Sequence, residues 1–229
     1  MIDGLRSGVE GLRLMSLKLD TAAANIANVS TTGYKKDEIA VGLPAEGSGE
    51  VMKTTGYLDL AQGELLKTDN PLDLALEGKG FFAVGQGDKA GFTRDGRFSV
   101  DSEGRLTVAG GLLVQGKSGP ITLNPALATM IGADGSVLQG GSAVDKLKIV
   151  NFANPAALQK SGGGLLTSAE AGAEAAATVR QGYVENSNVR MVSEMASLMQ
   201  IMRSFDSIQK GITSQDSATG KLISSMGKF

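Results

Sequence analysis

The chain has 229 residues, 41% of them hydrophobic, and a formal net charge of −2 spread over interspersed acids and bases, with no cysteine and no histidine. It carries enough apolar content to bury a core, and its charge balance gives no electrostatic reason to expect nucleic acid or an anionic membrane as a partner. The missing residue types remove thiolate nucleophiles, Cys/His zinc sites and imidazole relays, while 32 glycines beside only 5 prolines read as many tight turns.

Ile2, Leu5, Val9, Leu12, Leu19 and Ile26 fall on steps that predict one helix from Ile2 to about Asn28 with a single narrow apolar seam. Asp3, Arg6, Glu10 and Arg13 interrupt the apolar run, so it reads neither as a secretory signal nor as a membrane span. Ser30-Thr31-Thr32-Gly33 ends the helix, with Gly33 as a C-terminal breaker, and Tyr34-Lys35-Lys36 begins an extended exit. A flexible link is expected near residues 42–50, and the alternation of Leu72, Leu74 and Leu76 predicts a half-buried strand. Hairpins follow around Asp101-Ser102-Glu103-Gly104 and Asp134-Gly135, then an alternating strand over Leu147 to Phe152. Residues 161–178, rich in Gly, Ala and Ser, read as a linker or weak strand. Asn186-Ser187-Asn188 offers helix caps, and Leu198, Ile201, Phe205, Ile208 and Ile212 set a second narrow seam on a helix from Val189 to about Met226. Met191, Met195, Met199 and Met202 give that helix an adaptable surface.

The expected fold class is therefore α+β: N- and C-terminal α-helices forming a coiled-coil-like domain from residues 1–34 and 185–229, around a central, mostly antiparallel β domain of hairpins over 35–184. Several motif matches dissolve in context. Gly111 to Ser118 fits G-x-x-x-x-G-K-S, but strand-forming Leu112-Leu113-Val114 occupies the loop and Gly119-Pro120 follows where a helix must start. Gly78-Lys79-Gly80 precedes the strand Phe81-Phe82-Ala83-Val84 and reads as a turn, and Asp101 to Gly104 lacks the later ligands of a calcium loop. Phe81, Phe82, Phe92 and Phe98 are assigned to the core. Arg94-Asp95 and Asp95-Arg97 are assigned to solvated turn charges.

Ala24-Asn25-Ile26-Ala27-Asn28-Val29-Ser30-Thr31-Thr32-Gly33-Tyr34-Lys35 resembles the N-terminal signature of the bacterial flagellar rod and hook family, with Ala24 where that family commonly has Asn. Pro71 to Phe82, Thr93-Arg94-Asp95-Gly96-Arg97-Phe98, and Gln181 to Val189 with Glu194-Met195 are similar to its other signatures, in the same order. The resemblance implies a structural axial subunit of the basal-body rod, with no catalytic residue, cofactor or metal. It also implies terminal helices lining an inner tube, and export through the flagellar type III apparatus without a cleaved signal. Implied partners are copies of itself, other rod proteins and surrounding ring proteins, with no nucleic acid and no direct membrane span. The short link after Tyr34 and the Gly119-Pro120-Ile121 turn are more similar to the proximal than to the distal rod type. Residues assigned to assembly contacts are Ile2, Leu5, Val9, Leu12, Leu19, Asn25, Ile26, Asn28, Thr32, Gly33 and Tyr34 at one end. At the other they are Glu185, Ser187, Asn188, Val189, Met195, Leu198, Ile201, Phe205, Ile208 and Ile212. The rival classes are a secreted β-rich adhesin and an enzyme using carboxylates such as Asp73, Asp95 and Asp101, and neither predicts helices at both ends.

Overall fold

A computed structural model of the chain describes residues 2–42, 52–86 and 89–226, so the expected link at 42–50 lies, apart from Gly42, outside the described residues. The chain divides into two compact units: residues 1–27, 37–57 and 190–229 make one, and residues 28–36 and 58–189 make the other.

The first unit holds helix α1 (Ile2–Ala27), strands β1 (Asp37–Gly42) and β2 (Lys53–Leu58), which pair with one another, and helix α2 (Met191–Met226). The face of α1 turned to α2 carries glycines that the apolar pattern did not single out. A Cβ on Gly4, Gly8 or Gly11 would come within 2.9, 2.9 and 3.3 Å of Gln215, Ile212 and Ile208, so the helices run antiparallel at close approach. Ala22-Ala23-Ala24 strengthens the other end of α1. On α2, Leu198, Ile201, Phe205, Ile208 and Ile212 are half-buried, whereas Met191, Val192, Met195, Met199 and Met202 form a separate exposed face, with Val192 at 81% exposure. No helix among the described residues is long and apolar enough to cross a membrane.

The second unit is a β body. Its strands are β3 (Leu65–Lys67), β4 (Leu74–Glu77), β5 (Phe81–Gln86), β6 (Lys89–Thr93), β7 (Ser99–Val100), β8 (Leu106–Thr107), β9 (Leu113–Val114) and β10 (Thr129–Ile131). They continue as β11 (Ser136–Gln139), β12 (Ser142–Lys146), β13 (Ile149–Asn151), β14 (Leu158–Gly162), β15 (Leu165–Ser168), β16 (Ala173–Glu174), β17 (Thr178–Gln181) and β18 (Tyr183–Glu185). Among the described residues the largest sheet runs β14-β15-β6-β5-β9-β8-β7, with β13 pairing both β5 and β16; β10-β11-β12, β17-β4 and β18-β3 are smaller antiparallel sets.

Alternation along β5 and β13 explains why both lie at the centre. Phe82, Val84 and Ile149 enter a cluster with Leu74, Leu76, Phe98, Leu106, Val114, Ile121, Val137 and Val179, while Phe81 and Val150 point to the opposite face, against Leu58, Phe152, Leu158 and Leu166. Edge-to-face rings fix each cluster, Phe82 on Phe98 at 5.1 Å and Phe92 on Phe152 at 4.8 Å between centroids.

The hairpins around Asp101 and Asp134 form as expected, as β7-β8 and β10-β11. One expectation changes: the strand at Leu74 is covered on both faces, because Ala75 is buried as fully as its leucine neighbours. In the Gly/Ala/Ser run at 161–178, of the two readings, linker or weak strand, short strands form: β15, which pairs with β14 and β6, and β16, which pairs with β13. The G-x-x-x-x-G-K-S match is strand β9 followed by a turn in which the Gly116 N–H donates to the Gly119 carbonyl.

The Asp134 turn carries a pH signature. Its carboxylate accepts from the Ser136 hydroxyl at 2.7 Å and backbone N–H at 3.1 Å, and from Lys146 at 3.3 Å, which together hold its pKa down at about 2. A depressed folded pKa contributes stability that is present above the ordinary carboxylate range and is lost as pH falls toward the folded value. Urea midpoints of the parent and of Asp134→Asn are therefore expected to differ slightly at pH 5, the parent being more stable, and to converge as pH falls toward about 2.

Candidate functional site

The signatures of the β body converge on one carboxylate. Glu185 ends β18, whose pairing with β3 sets Glu185 opposite Leu65, and its side chain has no exposed surface. Its Oε1 accepts from Lys35 Nζ at 2.6 Å and from the Gly63 N–H at 3.0 Å; its Oε2 accepts from Arg94 Nη1 at 2.8 Å. The Lys35 and Arg94 side chains are themselves only 2% and 4% exposed. Lys35 Nζ also donates to the Ala61 carbonyl at 2.7 Å, and Arg94 donates to the carbonyls of Leu76 and Gly78 with its guanidinium 5.4 Å from the Phe81 ring centre. Burial pushes the Lys35 ammonium below its ordinary pKa; Glu185 pulls it back up, and the neighbouring Arg94 charge adds to the downward push.

Residues 28–36 reach this node because Gly33 has a left-handed backbone, φ +69°, and no side chain. A Cβ there would lie 2.3 Å from the Asp95 nitrogen and 2.4 Å from the Arg94 carbonyl carbon. The Gly33 N–H donates to the Glu185 carbonyl at 2.7 Å. Asn188 holds the next turn of chain, accepting from the Lys36 N–H at 2.8 Å and donating to the carbonyls of Asp59 and Ala61 at 2.8 and 3.1 Å. The buried Tyr34 ring lies under the Lys160 ammonium, 3.7 Å from its centroid.

In the helical unit Asn25 clamps one residue, donating to the Asp37 carbonyl and accepting from its N–H, each at 2.9 Å. Asn25, Thr32, Tyr34, Glu185 and Val189, all assigned to assembly contacts, are buried within the chain. Asn28 accepts from Thr31 through its side chain, and Ser187 accepts from the Val189 N–H. Leu12, Leu19 and Ile26 are half-buried on α1, Val9 and Met195 are exposed, and Ile2 and Leu5 belong to α1 with side chains outside the described set. The largest departure is Arg94, expected as a solvated turn charge and found in a buried pair whose partner lies 91 residues away. Asp95 and Arg97 do form the expected surface pair, at 2.8 Å. Lys35 stood inside a quoted signature without a role. Among the described residues no cluster of acidic side chains is arranged to hold a metal ion.

Three family matches fall along the chain in order. Residues 5–35 match the family described as flagella basal body rod protein, 75–139 the flagellar hook protein FlgE/F/G D1 domain, and 180–225 the flagellar basal body rod FlgEFG protein C-terminal region. Among individual relatives, the chain is 32% identical to the flagellar basal-body rod protein FlgF of Caulobacter vibrioides, covering all of both chains. It is 29% identical to FlgF of Mesorhizobium japonicum over 99% of each, and 30% identical to FlgG of Bacillus subtilis over 97% and 98%.

Removing the shared anion is expected to be far more damaging than removing the whole node. Glu185→Gln leaves two buried cations without a counter-charge and should cost about 3–5 kcal/mol in denaturant unfolding, whereas the triple change Lys35→Met, Arg94→Met, Glu185→Leu should recover most of that loss.

Proposed function

Because the chain belongs to the flagellar basal-body rod protein family and is a structural subunit of the rod, we propose that it is the proximal rod subunit, polymerising with copies of itself and with other axial proteins to carry motor torque toward the hook. The supporting observation is length. Alignment with the Bacillus subtilis FlgG needs 260 positions to cover 97% of this chain, against 244 positions for all of it with the Caulobacter FlgF, so the distal-type relative carries more residues that this chain lacks. The distal position is the second reading, favoured by the 30% identity to that FlgG.

Assembly on this reading uses α1 and α2 as a coiled-coil-like inner wall. The first half of α1 is intrinsically weak: Gly4, Gly8 and Gly11 each cost about 1 kcal/mol relative to Ala in a helix. Contact must supply what propensity does not. Burying the exposed Met191, Val192, Met195, Met199 and Met202 face against a neighbour returns about 25 cal/mol per Å2 of apolar surface, and the flexible thioethers adapt to neighbours of different shape. Folding of the ends is then coupled to incorporation. A chain with weakly ordered ends also suits passage through the type III export apparatus, and the assembled β bodies are the parts offered to the surrounding ring proteins. No catalytic step and no cofactor enters this function.

A charge on either helix seam tests it. Leu12→Asp and Leu198→Asp are expected to abolish incorporation, so that electron microscopy of basal bodies shows rings with a truncated rod, while the purified variants keep a protease-resistant β body. Normal rods and motility from either variant would refute the seam assignment.

A further inference from the structure

We infer that residues 28–36 are a docking strap for a β body that is complete without them, with the buried Glu185 carboxylate as receptor and the Lys35 ammonium as the inserted group. The asymmetry of the node carries the inference. With Lys35 withdrawn, Glu185 keeps a donor on each oxygen, the Gly63 N–H at 3.0 Å on Oε1 and Arg94 at 2.8 Å on Oε2, so it remains a neutral, hydrogen-bonded pair. Lys35 has no such independence, since its short contacts are to Glu185 and to the Ala61 carbonyl, both on the body.

The strap's backbone behaves in the same way. It joins none of the β ladders; it is held by separate bonds from the Gly33 N–H to the Glu185 carbonyl, from the Lys36 N–H to Asn188 Oδ1, and from the Asp59 N–H to the Lys36 carbonyl. Glu185 itself is fixed by β18 on β3, through residues outside the strap. Docking therefore brings a second cation to a carboxylate that is already paired, against the desolvation of its ammonium, and opening leaves the apolar clusters intact, because none of their residues lies in 28–36. The β body forms first and the strap closes on it, as a reversible latch.

Native-state hydrogen exchange on the full-length monomer tests this without any rod assembly, so its failure and that of the proximal-rod reading are distinguishable. The Gly33 and Lys36 amides are expected to exchange through an opening at least a hundredfold more frequent than that of the body amides of Ala83, Gln115 and Lys148, which bond one another's segments. Lys35→Met should accelerate exchange at Gly33 and Lys36 at least tenfold and leave those three body amides unchanged. Equal protection of strap and body in the parent chain, or parallel acceleration of both in Lys35→Met, overturns the inference.

Discussion

Four segments of the β-body unit meet at one buried anion. Glu185 takes up donors from the segments at Lys35, Gly63 and Arg94, which are far apart in sequence, and its own carbonyl receives the Gly33 N–H. Taking three charges out of water is costly, and a buried ion cluster contributes little net stability over a well-packed apolar one. What it does contribute is selectivity among arrangements. An apolar pocket accepts a strand slipped by two residues almost as well as the correct one, whereas an unpaired carboxylate or guanidinium in the interior costs several kcal/mol. The node therefore penalises misregister of β18 on β3, and of the loop after β6, more sharply than the leucines around it can.

Legibility from sequence follows the same division. Period-two alternation and turn residues identified the hairpins at Asp101 and Asp134 and the aromatic core, because those features are local. The half-buried reading of the strand at Leu74 misses its second covered face, since Ala75 carries no local signal of burial. Arg94 was misread for a stronger reason. A charge inside Thr-Arg-Asp-Gly-Arg has every local mark of a solvated turn, and only the fold brings Glu185 to it. Residues assigned to contacts between subunits, among them Asn25, Tyr34 and Glu185, have side chains committed to partners or packing inside their own chain.

The helices show the opposite case, in which pattern was legible and spacing was not. Heptad leucines and isoleucines marked both seams, yet the closest approach of α1 to α2 runs through Gly4, Gly8 and Gly11. Glycine there reverses the usual economy of a helix: it lowers intrinsic helicity in order to bring two backbones together. Such a helix leans on its partner more than the Ala-rich end of α1 does. Low helix propensity is thus concentrated in one half of one helix, beside a partner helix that keeps a second apolar face uncovered.

That distribution bears on how a structural subunit of the rod carries exposed apolar helix faces beside an ordered body. If the terminal helices were strong in isolation, their apolar faces would be presented in fixed form before any neighbour existed, which invites aggregation. If the β body were equally weak, the free chain would have no ordered part at all. Dividing the chain into a body locked by buried charge and ends held by contact avoids both failures. The order of the free chain then rests on the β body around Glu185, and the glycine-bearing turns of α1 rest on contact with α2.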